Sequence, residues 1–190
     1  MTGQLWKVLA SEPIPEPFPH IVVEDVFDQH QYERMLRNLP GAKPGFKKTD
    51  LPAAGRFWGV VANWFNDEFT NAMSEKFGVS GITRTSVRTV VDAPGFRLGP
   101  HTDDPKKVLS LIFYLTENVQ DVGTVLYTHE DPGFRSDGTQ HFPLDGFVKA
   151  KKVPFLPNSM MGFARTDKSF HGVEKISGYR YTLLYNAYRD

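Results

Sequence analysis

The chain has no cysteine among its 190 residues. Disulfides and thiolate ligands are excluded, so any metal must be held by histidine and carboxylate. An excess of one charge is missing too, because 22 basic and 22 acidic residues cancel. A protein that grips nucleic acid through phosphate charge carries a basic excess, so this balance argues against such a partner. No apolar run reaches the length of roughly 18 residues that a membrane span needs. The opening residues, Met1 to Val8, lack a charged segment followed by a long apolar one and do not read as a signal peptide. A cytoplasmic protein is expected. There is no internal repeat and no break in composition, so one domain over residues 1–190 is expected, long enough to bury a sizeable core.

Aromatics are abundant, with 15 Phe, 7 Tyr and 3 Trp, and they suit a β-rich core. Residues 11–19 hold four prolines at alternate positions, which suits an extended lead-in and excludes a helix or central strand. His20–Val23 is a short β-like run. Asp28, with Gln31 three places on, predicts a capped helix with Tyr32, Met35, Leu36 and Leu39 on its apolar stripe, ended by Pro40-Gly41. Residues 41–58 read as a loop, in which Lys47, Lys48 and Arg56 are solvated charges or contacts to an acidic substrate. Phe65, Phe69, Met73 and Phe77, four apart, predict a second helix from about Asn63 to Phe77, stopped by Gly78. From Thr83 the period becomes strand-like. Runs at 83–91, 108–115, 124–127, 148–155, 160–163, 171–176 and 179–188 are separated by turn pairs such as Pro94-Gly95 and Asp145-Gly146. Arg84 and Arg88 on the first of these are substrate contacts or solvated charges. The lysines at 149, 151 and 152 mark an exposed edge. Residues 128–146 form a second long loop. Many short strands with turn signals imply a sandwich or barrel.

The stretch Gly99-Pro100-His101-Thr102-Asp103-Asp104 carries the chemistry. On an extended segment, residues two apart share a face, which sets His101 beside Asp103 and turns Asp104 away. A third ligand is supplied by His171. Two histidines and one carboxylate make a facial triad that leaves about three positions open on non-haem Fe(II). Nine residues on, Arg180 offers a guanidinium that can clamp a carboxylate at two points, and Thr182 adds a hydroxyl on the same strand face. Arg97, Arg165 and Asn186 are weaker candidates for substrate contact. His20, His30, His129 and His141 are read as surface histidines, with His141 placed to line an entrance.

His101-Thr102-Asp103, Leu111–Leu115, Gly123-Thr-Val125, His171 and Arg180, in that order, resemble the Fe(II)- and 2-oxoglutarate-dependent oxygenases, especially their prolyl-hydroxylase-like branch. The resemblance implies a mainly β fold, a double-stranded β-helix or jelly roll over about 83–190, with a support segment over 1–82 whose helices pack on one sheet. It implies Fe(II), 2-oxoglutarate and O2, with ascorbate as a reductant, and hydroxylation of a C–H bond of a small molecule or peptidyl residue with release of succinate and CO2. Arg180 would anchor the distal carboxylate of 2-oxoglutarate, and Tyr114 resembles a tyrosine that contacts the cosubstrate in some relatives. Asp103 favours hydroxylation over halogenation, since related halogenases have a small residue there. Relatives that demethylate nucleic acid carry a second arginine six residues after the first, where this chain has Asn186.

The chain departs from the pattern Tyr-x-x-Gly-x-x-Leu-x-x-His-x-Asp at one position. Gly95, Leu98, His101 and Asp103 match, but Asp92 stands where the tyrosine is expected. The competing reading is a non-catalytic jelly-roll module that binds metal. It accounts for the triad but not for Arg180.

Overall fold

The computed structural model describes residues 5–39, 54–116 and 123–190, and the backbone of 47–50. Among these residues, ten strands form two antiparallel sheets. The major sheet has the order β1 (His20–Val23), β8 (Ser159–Ala164), β5 (Lys107–Tyr114), β10 (Arg180–Tyr188), β3 (Arg84–Asp92) and β2 (Lys47–Asp50). The minor sheet has the order β4 (Leu98–His101), β9 (His171–Val173), β6 (Thr124–His129) and β7 (Phe147–Val153). The architecture is the expected jelly roll.

Four helices are described: α1 (Trp6–Ala10), α2 (Gln29–Arg37), α3 (Arg56–Ala62) and α4 (Asp67–Phe77). Their apolar faces cover the outside of the major sheet. Val8, Met35, Trp58, Phe69 and Met73 share one core with Leu109, Leu111, Phe113, Leu183 and Tyr185. The alternation of each strand explains the split. On β10, residues 183, 185 and 187 enter this outer core, while 180, 182, 184 and 186 face the other way, into the sandwich. A second core, with Tyr114, Leu126, Phe155, Met161 and Phe163, lies between the sheets. A third, smaller cluster under the 130–146 loop joins Val125, Tyr127 and Phe170 to Phe134, Phe142 and Phe147.

The sequence expectations need two corrections here. The helix expected from Asn63 begins only at Asp67, after a separate helix has ended at Ala62. Asn66 accepts a bond from the Phe69 amide and starts α4 anew, so Phe65 lies before the helix, packed on Phe69, Phe113 and Tyr185. The 41–58 loop is broken by β2 and by the start of α3, with Arg56 exposed on that helix. The support segment supplies strands β1 and β2 to the major sheet. The cap at Asp28 stands as expected, accepting the Gln31 amide at 2.9 Å. Pro40 and Gly41 lie outside the described residues, as do the side chains of Lys47 and Lys48. The lysine-rich strand is an edge, with Lys149 and Lys152 paired to Glu174. Arg84 stacks on the Tyr188 ring, and Arg88 is half-buried opposite Leu184.

Gly172 leaves no room for a side chain in the minor sheet. A Cβ there would lie 2.5 Å from the Leu98 carbonyl oxygen and 3.0 Å from that of Gly99. Both are backbone atoms and cannot swing aside. Gly172→Ala is therefore expected to part β4 from β9 and to cost about 1–3 kcal/mol. Urea unfolding measures that cost, and metal affinity should fall with it because His171 is the adjacent residue.

Candidate metal centre

The two histidines meet across a strand pair. Along β4 and β9, Leu98 pairs with Val173 and His101 with His171, so three steps on one strand match two on the other. The bulge at Gly99-Pro100 absorbs the extra residue and re-aims His101. Its ring centroid comes to 4.2 Å from that of His171. Asp103 arrives by a different route from the one read off the sequence. The strand ends at His101, and Asp103 turns back in the left-handed region at φ 66°. Asn and Asp tolerate that conformation better than most residues. The carboxylate reaches the histidines through a turn, not through strand alternation.

Ligand atoms of His101, Asp103 and His171 lie within 4.8 Å of one another. Nε2 of His101 is 3.7 Å from Asp103 Oδ1, and Nε2 of His171 is 3.8 Å from Oδ2. The tautomers follow from the backbone. His101 Nδ1 is 3.0 Å from the Gly99 carbonyl oxygen, and His171 Nδ1 is 3.0 Å from that of Ser169. A carbonyl oxygen only accepts, so each Nδ1 carries the hydrogen and each Nε2 presents a lone pair. Two lone pairs and a carboxylate face one point. That donor set fits a divalent cation.

The electrostatics agree. Burial lowers the His101 pKa, His171 beside it adds to the effect, and the value falls to about 3 despite the pull of Asp103. His171 is lowered by burial as well. Burial pushes Asp103 the other way, but Lys107, His171 and His101 outweigh it and hold the carboxyl below its ordinary range. Lys107 Nζ donates to Asp103 Oδ1 at 2.8 Å, and Ser110 Oγ donates to Oδ2 at 2.9 Å. Neutral imidazoles beside an ionised carboxylate are the protonation states that a metal requires.

These shifts predict how the metal-free protein responds to acid. His101 binds its proton less readily folded than unfolded, so its contribution is complete above pH 6.5 and is lost progressively down to about pH 3. His171 shifts the same way and adds to the loss. Each histidine steepens the decline by about 1.4 kcal/mol per pH unit within its window. Urea midpoints measured from pH 7 to 4 should fall steeply, and Asp103 extends the loss further as pH drops below its ordinary pKa of 3.8.

The triad opens into a cavity of about 350 Å³ between the sheets. Val90, Leu98, Ile112, Val173 and Leu184 give it apolar walls. Arg180, Thr182 and Asn186 line it from β10, and Asp92 lines it from β3. Arg180 is buried, with Nη1 donating to Asp92 Oδ2 at 2.9 Å. Its Nε–H is buried without a partner. Tyr114 lies outside the lining but stands behind Arg180, its ring centroid 5.8 Å from the guanidinium carbon and its hydroxyl 2.8 Å from Thr124 Oγ1. Asn186 Oδ1 is 3.2 Å from the Ser110 hydroxyl, which ties it to the triad through Asp103.

Arg97 and Arg165 stand apart from the cavity lining. Arg97 is exposed, between Phe96 and Leu98, which do line it. Arg165 donates to the backbone carbonyls of Thr102 and Ser136, joining the ligand turn to the 130–146 loop. His141 from that loop sits at the cavity, its ring centroid 4.5 Å from that of His101. His20, expected at the surface, is fully buried, with Nδ1 2.8 Å from the Phe18 carbonyl oxygen. Sequence reading passed over Lys107 and Ser110. Their only signal was a place four and seven residues after Asp103, at the start of a strand.

A Pseudomonas putida prolyl-4-hydroxylase matches over 100% of this chain and 98% of its own, at 15% identity and a TM-score of 0.59. A Trichoplax adhaerens prolyl hydroxylase, solved with a hypoxia-inducible-factor peptide, matches over 98% and 88%, at 13% identity and a TM-score of 0.61. The chain has the fold of the prolyl hydroxylases. HygX from Streptomyces hygroscopicus, solved with nickel and 2-oxoglutarate, shares that fold over 100% of this chain and 87% of its own, at 12% identity and a TM-score of 0.59. No protein-family model matches the sequence, and no curated protein sequence does. Among the described residues, no helix of this prolyl-hydroxylase-like fold is long and apolar enough to cross a membrane.

Proposed function

We propose that the chain is a 2-oxoglutarate- and O2-dependent non-haem Fe(II) oxygenase, acting as one domain over residues 1–190. It hydroxylates a C–H bond of a small molecule or peptidyl residue and releases succinate and CO2. The observation that carries this reading is the convergence of two imidazole lone pairs and one carboxylate on a cavity with a buried arginine in its wall. Iron held there with 2-oxoglutarate supplies the oxidative decarboxylation that activates O2. The nickel and 2-oxoglutarate in HygX support a metal ion held together with this cosubstrate on this fold.

The residues divide the work. His101, Asp103 and His171 hold the metal. Lys107 and Ser110 hold Asp103 in place and offset its charge, and the carbonyls of Gly99 and Ser169 fix the two imidazoles. Arg180 takes the distal carboxylate of the cosubstrate, with Thr182 beside it. Val90, Leu98, Ile112, Val173 and Leu184 keep water from the reacting atoms. The primary substrate enters past His141 and Gly138, the 130–146 loop residues on the lining. A peptidyl substrate is supported by the Trichoplax adhaerens prolyl hydroxylase, which was solved with a bound peptide.

Anaerobic titration of the apoprotein with Fe(II) and then 2-oxoglutarate tests the reading. A visible metal-to-ligand charge-transfer band at one equivalent of each is the expected result. Iron binding with no band would leave a jelly roll that holds metal without this cosubstrate, and no iron binding would overturn the triad.

A further inference from the structure

The arginine in the cavity wall already has a carboxylate. Asp92 stands directly across from Arg180 in the β3–β10 register, and their bond of 2.9 Å lies where both side chains are 5% exposed or less. We propose that Asp92 is an internal counter-ion that positions Arg180 and sets which cosubstrates the anchor accepts. This inference rests on the reading of Arg180 as the cosubstrate anchor.

Two physical consequences define the role. The first is orientation. A guanidinium offers its carboxylate fork through Nε–H and Nη2, the pair lying away from Cδ. Asp92 engages Nη1, on the Cδ side, and the Nε–H of the free fork is buried without a partner. Asp92 thus fixes the guanidinium plane from the Nη1 side, while the Nε–H on the opposite edge has no partner. The Tyr114 and Phe155 rings, 5.8 and 5.6 Å from the guanidinium carbon, limit its rotation.

The second is charge. With Asp92 ionised, the charges of Arg180 and Asp92 cancel each other before any ligand arrives. A second carboxylate is attracted by Arg180 and repelled by Asp92 across the same guanidinium. At a few ångströms in a poorly solvated site, repulsion between like charges is large on the scale of one tenfold change in affinity. The subsite therefore selects more by hydrogen-bond geometry than by charge. It binds 2-oxoglutarate more weakly than an unopposed arginine would, and it discriminates less against a 2-oxo acid whose distal end is uncharged.

The test compares 2-oxoglutarate with its C5 methyl ester, which keeps a carbonyl acceptor and loses the charge. Dissociation constants come from anaerobic charge-transfer titration of the Fe(II)-loaded protein, checked by ligand-induced thermal shift, for wild type, Asp92→Asn and Arg180→Ala. In the wild type the two ligands should differ by less than about tenfold. Asp92→Asn keeps an oxygen for Nη1 and removes the charge. It should bind 2-oxoglutarate at least about tenfold tighter, leave the ester unchanged and show a larger thermal shift with 2-oxoglutarate. Arg180→Ala should weaken 2-oxoglutarate. If that weakening is seen but Asp92→Asn leaves 2-oxoglutarate unchanged or weaker, the counter-ion role is overturned and the anchor stands. If Arg180→Ala leaves the affinity unchanged, the anchor itself is overturned. Should Asp92→Asn fail to fold, the wild-type comparison decides, and discrimination above about tenfold overturns the proposal.

Discussion

His171→Ala is expected to abolish stoichiometric iron binding and, with it, conversion of 2-oxoglutarate to succinate. The loss should be far beyond the roughly 10–100-fold that follows removal of an outer-shell partner, because a ligand itself is gone. His171 is the ligand best suited to this test. It lies on β9 in the interior of the minor sheet, between β4 and β6, so a truncated side chain leaves the backbone ladder intact. It is buried, and burial lowers its pKa, so the imidazole presents a neutral donor. Iron content after dialysis and succinate release without primary substrate give two readouts. Wild-type iron affinity in the variant would mean that the metal sits elsewhere.

Arg180→Ala has a double consequence. It removes the guanidinium that would hold the cosubstrate, and it breaks the buried ion pair that Arg180 makes with Asp92. Breaking one side of a buried pair typically costs about 3–5 kcal/mol, since the remaining charge has lost its compensation. A large fall in the urea midpoint is expected, together with a rise in the 2-oxoglutarate requirement by a factor of about a hundred, the scale of a charge-assisted two-point contact. A second variant separates the two effects. Arg180→Met with Asp92→Leu replaces the pair by apolar residues, and such swaps are often neutral or stabilising. Its stability should recover while its cosubstrate affinity does not. Recovery of both would mean that Arg180 acts only in the fold.

The candidate metal ligands were legible because the chemistry demands particular residue types. With no cysteine, His101, Asp103 and His171 were among few choices, and the structure gathers all three. The reason given for Asp103 was wrong, since strand alternation does not extend past His101 and a left-handed residue turns the carboxylate inward. Local signals cannot reveal such a turn, because aspartate fits either conformation. The aromatic spacing of α4 was legible from Phe69 onward. Phe65, four residues earlier, kept the helical period going across Asn66, where the helix only begins. Strand β2 was illegible because Lys47-Lys48-Thr49-Asp50 has no apolar alternation, and its strand form rests on the ladder that β3 offers. The Asp92–Arg180 pair joins residues 88 apart in sequence and exists only through the β3–β10 register. From sequence, Asp92 was simply an expected tyrosine missing.

The place of β10 in the major sheet has a consequence for how the molecule forms. It lies between β3 and β5, bonded to both along most of its length, yet it follows both in sequence. During synthesis β3 and β5 emerge first and cannot bond to each other in the native sheet. Their edges and apolar faces stay open until residues 180–188 leave the ribosome. Closure over such sequence distances is slow, and the waiting strands are the surfaces on which a nascent chain pairs wrongly. Arg180, Thr182 and Asn186 ride on that same strand, so the cavity is completed in the step that joins β3 to β5.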